Sequence, residues 1–177
     1  LYKDVPGWFD AWDIDSIYKL QPVEIPAAAE IHVGAEGPIF ASITVRRKFG
    51  KSELSQEIVL RAGSRRLDFR TVVEWRESHK LLKVNFPVNV RSEDALHEIQ
   101  FGHIRRPTHS SKQYDADKFE VCNYKWTALV EENRGAAVLN DCKYGVNVEK
   151  NSINLTLLKS ALAPDMTADK GRHGGRM

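Results

Sequence analysis

Three features of the 177-residue sequence predict an all-β fold of about ten strands in a two-sheet antiparallel sandwich. Apolar side chains recur with a period of two, the breaks between these runs are turn-forming and strand-length apart, and no extended run repeats at helical spacing. Successive side chains of a strand point to opposite faces, so alternation places the apolar set on one side and the polar set on the other. Antiparallel sheets with one solvated face give this pattern; buried parallel strands do not.

The elements follow in order. Residues 8–15, Trp-Phe-Asp-Ala-Trp-Asp-Ile-Asp, read as a polar loop that carries aromatics. After the turn-like stretch at Gly34–Pro38, Ile39, Ala41, Ile43 and Val45 alternate and then run into Arg46-Arg47-Lys48. Phe49-Gly50-Lys51-Ser52 and Ala62-Gly63-Ser64 are the next breaks. Leu67, Phe69, Thr71, Val73 and Trp75 repeat the alternation, as do Leu82, Val84, Phe86, Val88 and Val90, which end at the break Arg91–Asp94. Phe119–Glu132 is the best helical candidate, but its β-branched and aromatic content leaves helix and strand both open. Ile153, Leu155 and Leu157 form the last alternating series. One domain over 1–177 is expected, with a polar, glycine-rich tail at 166–177 that reads as frayed. The opening at Leu1 reads as a piece excised from a longer protein.

Composition excludes several function classes. Lys and Arg total 26 against 24 Asp and Glu, a net charge of +2. That is too small a surplus for nucleic acid to be the main partner, since phosphate neutralisation needs a concentrated basic face. No apolar run approaches the ~20 residues of a membrane helix, and no leader is expected, because the amino end has no basic segment followed by an apolar one. Cys122 and Cys142 are too few for a disulfide framework, which points to a reducing, cytoplasmic compartment. Asn154-Leu155-Thr156 fits a glycosylation acceptor but lies inside a strand pattern.

Self-contained catalysis is hard to find. His103 and His109 match no metal-ligand spacing, the serines lie in no nucleophile elbow, and no phosphate-binding glycine loop is present. Asp10, Asp13 and Asp15 stand among Trp8, Phe9 and Trp12. Rings can stack on the apolar face of a pyranose while carboxylates accept its hydroxyls; a polar loop with aromatics tucked into the sandwich edge is the plainer reading.

Four strings narrow the choice: Asp4–Asp13, Glu77–Pro87, Glu98–His109 and Leu139–Gly145. In this order they resemble the carboxy-terminal part of the family 38 glycoside hydrolases, the α-mannosidases, and most of all their bacterial and cytosolic branch. The resemblance implies a large sandwich of the galactose-mutarotase type, packed on an amino-terminal catalytic domain of the same polypeptide. That domain would hold the zinc ion, the carboxylate nucleophile and the acid/base, so this chain would carry no catalytic residue and no metal ligand and would be inactive alone. Its loops would help close the mannose pocket of an α-mannoside or oligosaccharide substrate. Asp10 and Asp13 would bind hydroxyls and Trp12 would offer a stacking face. Asn140, Asp141, Lys143 and Tyr144 would hydrogen-bond or buttress, joined by Arg106 and His109. The two loops are expected at one rim. A departure after His173, where the family continues with further strands, would leave an edge unpaired and favour a homo-oligomer. A stand-alone carbohydrate-binding module and a purely structural support domain are the alternatives.

Overall fold

The computed structural model describes residues 1–177 and is nearly all β. The strands are β1 (Tyr2–Lys3), β2 (Glu30–Glu36), β3 (Phe40–Phe49), β4 (Ser52–Arg61), β5 (Leu67–Trp75), β6 (Lys80–Pro87), β7 (Asp94–Ile99), β8 (Gly102–Pro107), β9 (Val121–Cys122), β10 (Trp126–Val130), β11 (Gly135–Leu139), β12 (Gly145–Glu149), β13 (Ser152–Lys159) and β14 (Gly171–Arg176). One 3-10 turn at Tyr18–Leu20 and a single-turn helix, α1 (Gln113–Ala116), are the helical pieces. The strands lie in three antiparallel sheets rather than two. The ambiguous segment 119–132 resolves as strand: β10 pairs with β11 on one side and β7 on the other, where its β-branched and aromatic side chains fit a pleated surface.

The single domain expected over 1–177 divides into two compact units, residues 1–80 with 160–177, and residues 81–159. In the first unit five strands run in the order β14-β5-β4-β3-β2. The β3–β4 hairpin turns through Gly50 at φ +54°, where a Cβ would come within 2.6 Å of the Glu77 carboxylate. That buried carboxylate closes the turn: its Oε1 accepts the Lys51 N–H at 2.7 Å and the Ser52 hydroxyl at 2.8 Å. The tail expected to fray is β14 over 171–176, in full register with β5 from Gly171 opposite Trp75 to Arg176 opposite Arg70. Backbone hydrogen bonding needs no side chains, so a glycine-rich run can close a sheet edge that composition reads as disorder.

The second unit holds two sheets, β6-β13-β12-β9 and β11-β10-β7-β8. Leu81, Leu82, Val146, Ile153, Leu155 and Leu158 are buried from the first, and Ala95, His97, Thr127 and Leu129 from the second. The expected alternation Ile153, Leu155, Leu157 breaks at its last member. Thr156 lies opposite Lys83 and Leu158 opposite Leu82, so Leu157 is the extra residue of a β-bulge and Leu158 takes the buried position. No helix is long and apolar enough to cross a membrane.

Candidate functional site

In the first unit the 8–15 loop is built around Asp10. Its Oδ2 accepts the Leu162 N–H at 2.8 Å and the Ala163 N–H at 3.2 Å, and lies 3.0 Å from His79 Nε2. Burial opposes its charge, but the Leu162 amide, the His79 ring and the Ala163 amide outweigh it and hold Asp10 below the usual carboxylate range. Around this anchor the Phe9 carbonyl, on a residue at φ +57°, accepts both the Trp12 and the Asp13 N–H. Asp4 Oδ1 accepts the Asp15 N–H at 3.1 Å, and Asp15 Oδ1 that of Ile17.

The consequence is a pinned loop whose rings face water: Trp8, Phe9 and Trp12 are 81%, 72% and 76% exposed. Asp13 is exposed beside them, with Oδ1 on the Ile14 amide at 2.9 Å. Rings in water gain nothing for the fold, so their fixed outward display suits a ligand or a covering surface. Asp10→Ala should release the Leu162 and Ala163 amides, speed their hydrogen exchange, and cost about 1.5–3 kcal/mol, the range for hydrogen bonds to a charged group. Unchanged exchange would remove the anchoring role.

In the second unit the 140–144 loop is likewise tied down from within. Asn140 is buried; its Nδ2 donates to the Tyr124 carbonyl at 3.2 Å and its Oδ1 accepts the Lys143 N–H at 2.6 Å. The Tyr144 carbonyl accepts the Asn123 N–H, and the exposed Tyr144 ring meets Tyr124 edge to face at 6.0 Å. Burial and the neighbouring Asp141 push the Cys142 thiol up, against the opposing charge of Lys143. Arg106 joins this group: its Nη1 donates to the Cys122 carbonyl at 3.0 Å, and Cys122 pairs with Gly145. His109 stands apart, with Nδ1 2.9 Å from Ser111 Oγ and 3.9 Å from Asp115.

Sequence reasoning missed the residues that hold these loops. His79, Asp4 and Glu98, whose Oε2 accepts the Lys125 N–H at 2.6 Å, lie within the recognised strings and Tyr124 lies outside them, but a string does not say which side chains face each other. No cluster of three or more His, Cys, Asp or Glu able to hold a metal forms. The residues present do not fit the zinc that the resemblance implies.

The chain belongs to the family described as glycosyl hydrolases family 38, C-terminal domain, whose profile matches residues 1–167. Among curated proteins it is similar to alpha-mannosidase 2C1 of Homo sapiens, 45% identical over 98% of this chain and 17% of that protein. It is 39% identical to alpha-mannosidase G of Dictyostelium discoideum and 35% to an alpha-mannosidase of Saccharomyces cerevisiae, over 16% and 17% of their lengths. The chain thus spans about a sixth of these relatives. A crystal structure of an alpha-mannosidase from Enterococcus faecalis shares the fold over 84% of this chain and 21% of that one, with a TM-score of 0.73 at 16% identity.

Proposed function

We propose that this chain is the carboxy-terminal β region of a zinc-dependent, retaining α-mannosidase that hydrolyses terminal α-mannosides, and that its loops help wall the mannose pocket. One observation carries the reading for this chain's own residues: the 8–13 loop is fixed by Asp10 while Trp12 and Asp13 stay outward on the same turn. Trp12 stacks on the apolar face of the sugar and Asp13 accepts a hydroxyl proton. Asp10, engaged with two amides and His79, positions both. Asn140 does the same for its own loop, which leaves Tyr144, Lys143 and Asp141 as the groups that meet sugar or neighbouring protein, with Arg106 behind them. The nucleophile, the acid/base and the zinc belong to the rest of the polypeptide, and the fragment alone turns over no mannoside. A cytoplasmic location is in keeping with two cysteines that form no disulfide.

The test is kinetic and uses the intact enzyme. Trp12→Ala and Asp13→Ala should each lower kcat/KM for an aryl α-mannoside by about tenfold or more, the equivalent of ~1.4 kcal/mol of transition-state binding. Neither should move the melting temperature, because neither side chain is buried. Full activity in both variants would eliminate the pocket role, and a parallel loss of melting temperature and rate would make the loop structural.

A further inference from the structure

The apolar series Ile39, Ala41, Ile43 and Val45 marks a face that remains largely open in the structure. Register places Val33, Ile43, Ile58 and Phe69 in one row across β2, β3, β4 and β5, and Ala41, Leu60 and Leu67 in the next. Partners across a ladder share a face, so these rows form one continuous apolar surface. Along β5 that surface grades from Trp75, 0% exposed, to Leu67, 49% exposed. Ile31 and Val33 are 63% exposed, and Ile39, Ile43 and Leu60 are exposed with them. The other face carries charged pairs, Arg70 with Glu57 at 3.1 Å and Arg172 with Glu74 at 3.6 Å, beside the buried Ser42 and Val59. One end of the apolar side is thus a finished core, and the other end has the same composition without a cover.

We propose that this open half-face is an interior surface of the whole enzyme, covered by apolar side chains from a segment of the same polypeptide outside residues 1–177. Contiguous apolar patches of this extent are uncommon on free-standing proteins and mark buried or docking surfaces. Ile31, Val33, Ile39, Ile43, Leu60 and Leu67 are all apolar, and Glu36, opposite Ala41 past the irregularity in β2, is the one acid in these rows, so the complementary surface is largely apolar, neither sugar nor phosphate. Length selects the occupant: the chain spans 17% of alpha-mannosidase 2C1, so most of such a polypeptide lies elsewhere. A tethered segment acts at an effective concentration in the mM range, which a second copy of the protein does not reach in dilute solution.

Hydroxyl-radical footprinting of the intact enzyme, read by mass spectrometry, tests this. Peptides containing Ile31, Val33, Ile43, Leu60 and Leu67 should be oxidised ~10-fold or more slowly than in the denatured chain, a protection characteristic of stably buried groups. The protection should persist on ~100-fold dilution, since tethering is independent of concentration. Oxidation at the denatured rate overturns the proposal, and protection that disappears on dilution overturns it in favour of a second copy. In parallel, Ile43→Lys and Thr44→Lys place the same charge at adjacent positions on opposite faces of β3. The first should lower the melting temperature of the intact enzyme by about 4 °C or more and the second should not; equal shifts overturn the proposal. Should Ile43→Lys fail to fold, the footprint of the unmodified enzyme decides. The footprint reads no turnover, so it stands or falls separately from the mannoside reading.

Discussion

Replacing Trp75 by Ala should destabilise the first unit by about 3–5 kcal/mol, the range for removing a large buried aromatic from a packed core. Trp75 is the largest fully buried side chain. It ends β5, packs 6.4 Å from Phe49 at the β3–β4 turn, and lies opposite Gly171, the first residue of β14. Truncation therefore opens a cavity beside the residue that starts the edge strand. Amide exchange over 172–176 should rise first, followed by that of β5. Trp75→Phe separates shape from polarity. The buried indole Nε1 has no hydrogen-bond partner, so Phe removes an unsatisfied donor as well as volume and should cost clearly less than Ala. Equal losses would mean that the indole nitrogen is satisfied in solution. A loss below ~1 kcal/mol for Ala would mean that the core collapses around the gap.

The second large effect is a dependence on pH. Burial, reinforced by the charge of Arg106, lowers His97 from 6.5 to about 4. His97 lies opposite Thr127, whose hydroxyl is 3.2 Å from Nδ1 and accepts from Asn123 Nδ2 at 2.8 Å. That hydroxyl can donate to Nδ1, which suits the neutral ring. In the unfolded chain the imidazole takes up a proton near 6.5. Between that value and about 4 the unfolded state binds more protons than the folded one, so stability falls as the pH is lowered through this window. The loss from this one group reaches about 3 kcal/mol at the acid end. Opening free energies of β7 and β10, obtained by hydrogen exchange in the intact enzyme, should drop between pH 7 and pH 5. His97→Asn, which keeps an acceptor for Thr127 but cannot titrate, should flatten that slope; an unchanged slope would assign the acid sensitivity to another group. Asn123 also donates its N–H to the Tyr144 carbonyl, so the 140–144 loop should lose protection together with β10.

Much of the architecture was legible because two-residue alternation is a local property of a half-buried antiparallel strand. The runs at 67–75 and 153–157 fall on strands, those at 39–45 and 82–90 do so except for Ile39, just before β3, and Val88 and Val90, beyond the end of β6, and Gly50 and Gly63 sit at turns with positive φ. The signals that failed were those whose meaning depends on a neighbour. Leu157 alternates correctly and still loses its place to Leu158, because a bulge is set by what β6 presents across the ladder. Residues 171–176 read as a tail, because glycines carry no hydrophobic signal, yet backbone pairing with β5 makes them a strand. Asp10 reads as one of three equivalent acids, but only Asp10 meets the amides of residues 162 and 163, about 150 positions away along the chain.

From residue order alone came the strand class, most of the turns and the family, since each resides in local periodicity or in contiguous strings. Tertiary structure alone decided which carboxylate anchors and which faces water, which half of an apolar face is covered, and where the chain divides into units. Those outcomes depend on pairs of residues far apart in the chain, and the free energy of such a pair is not written at either position.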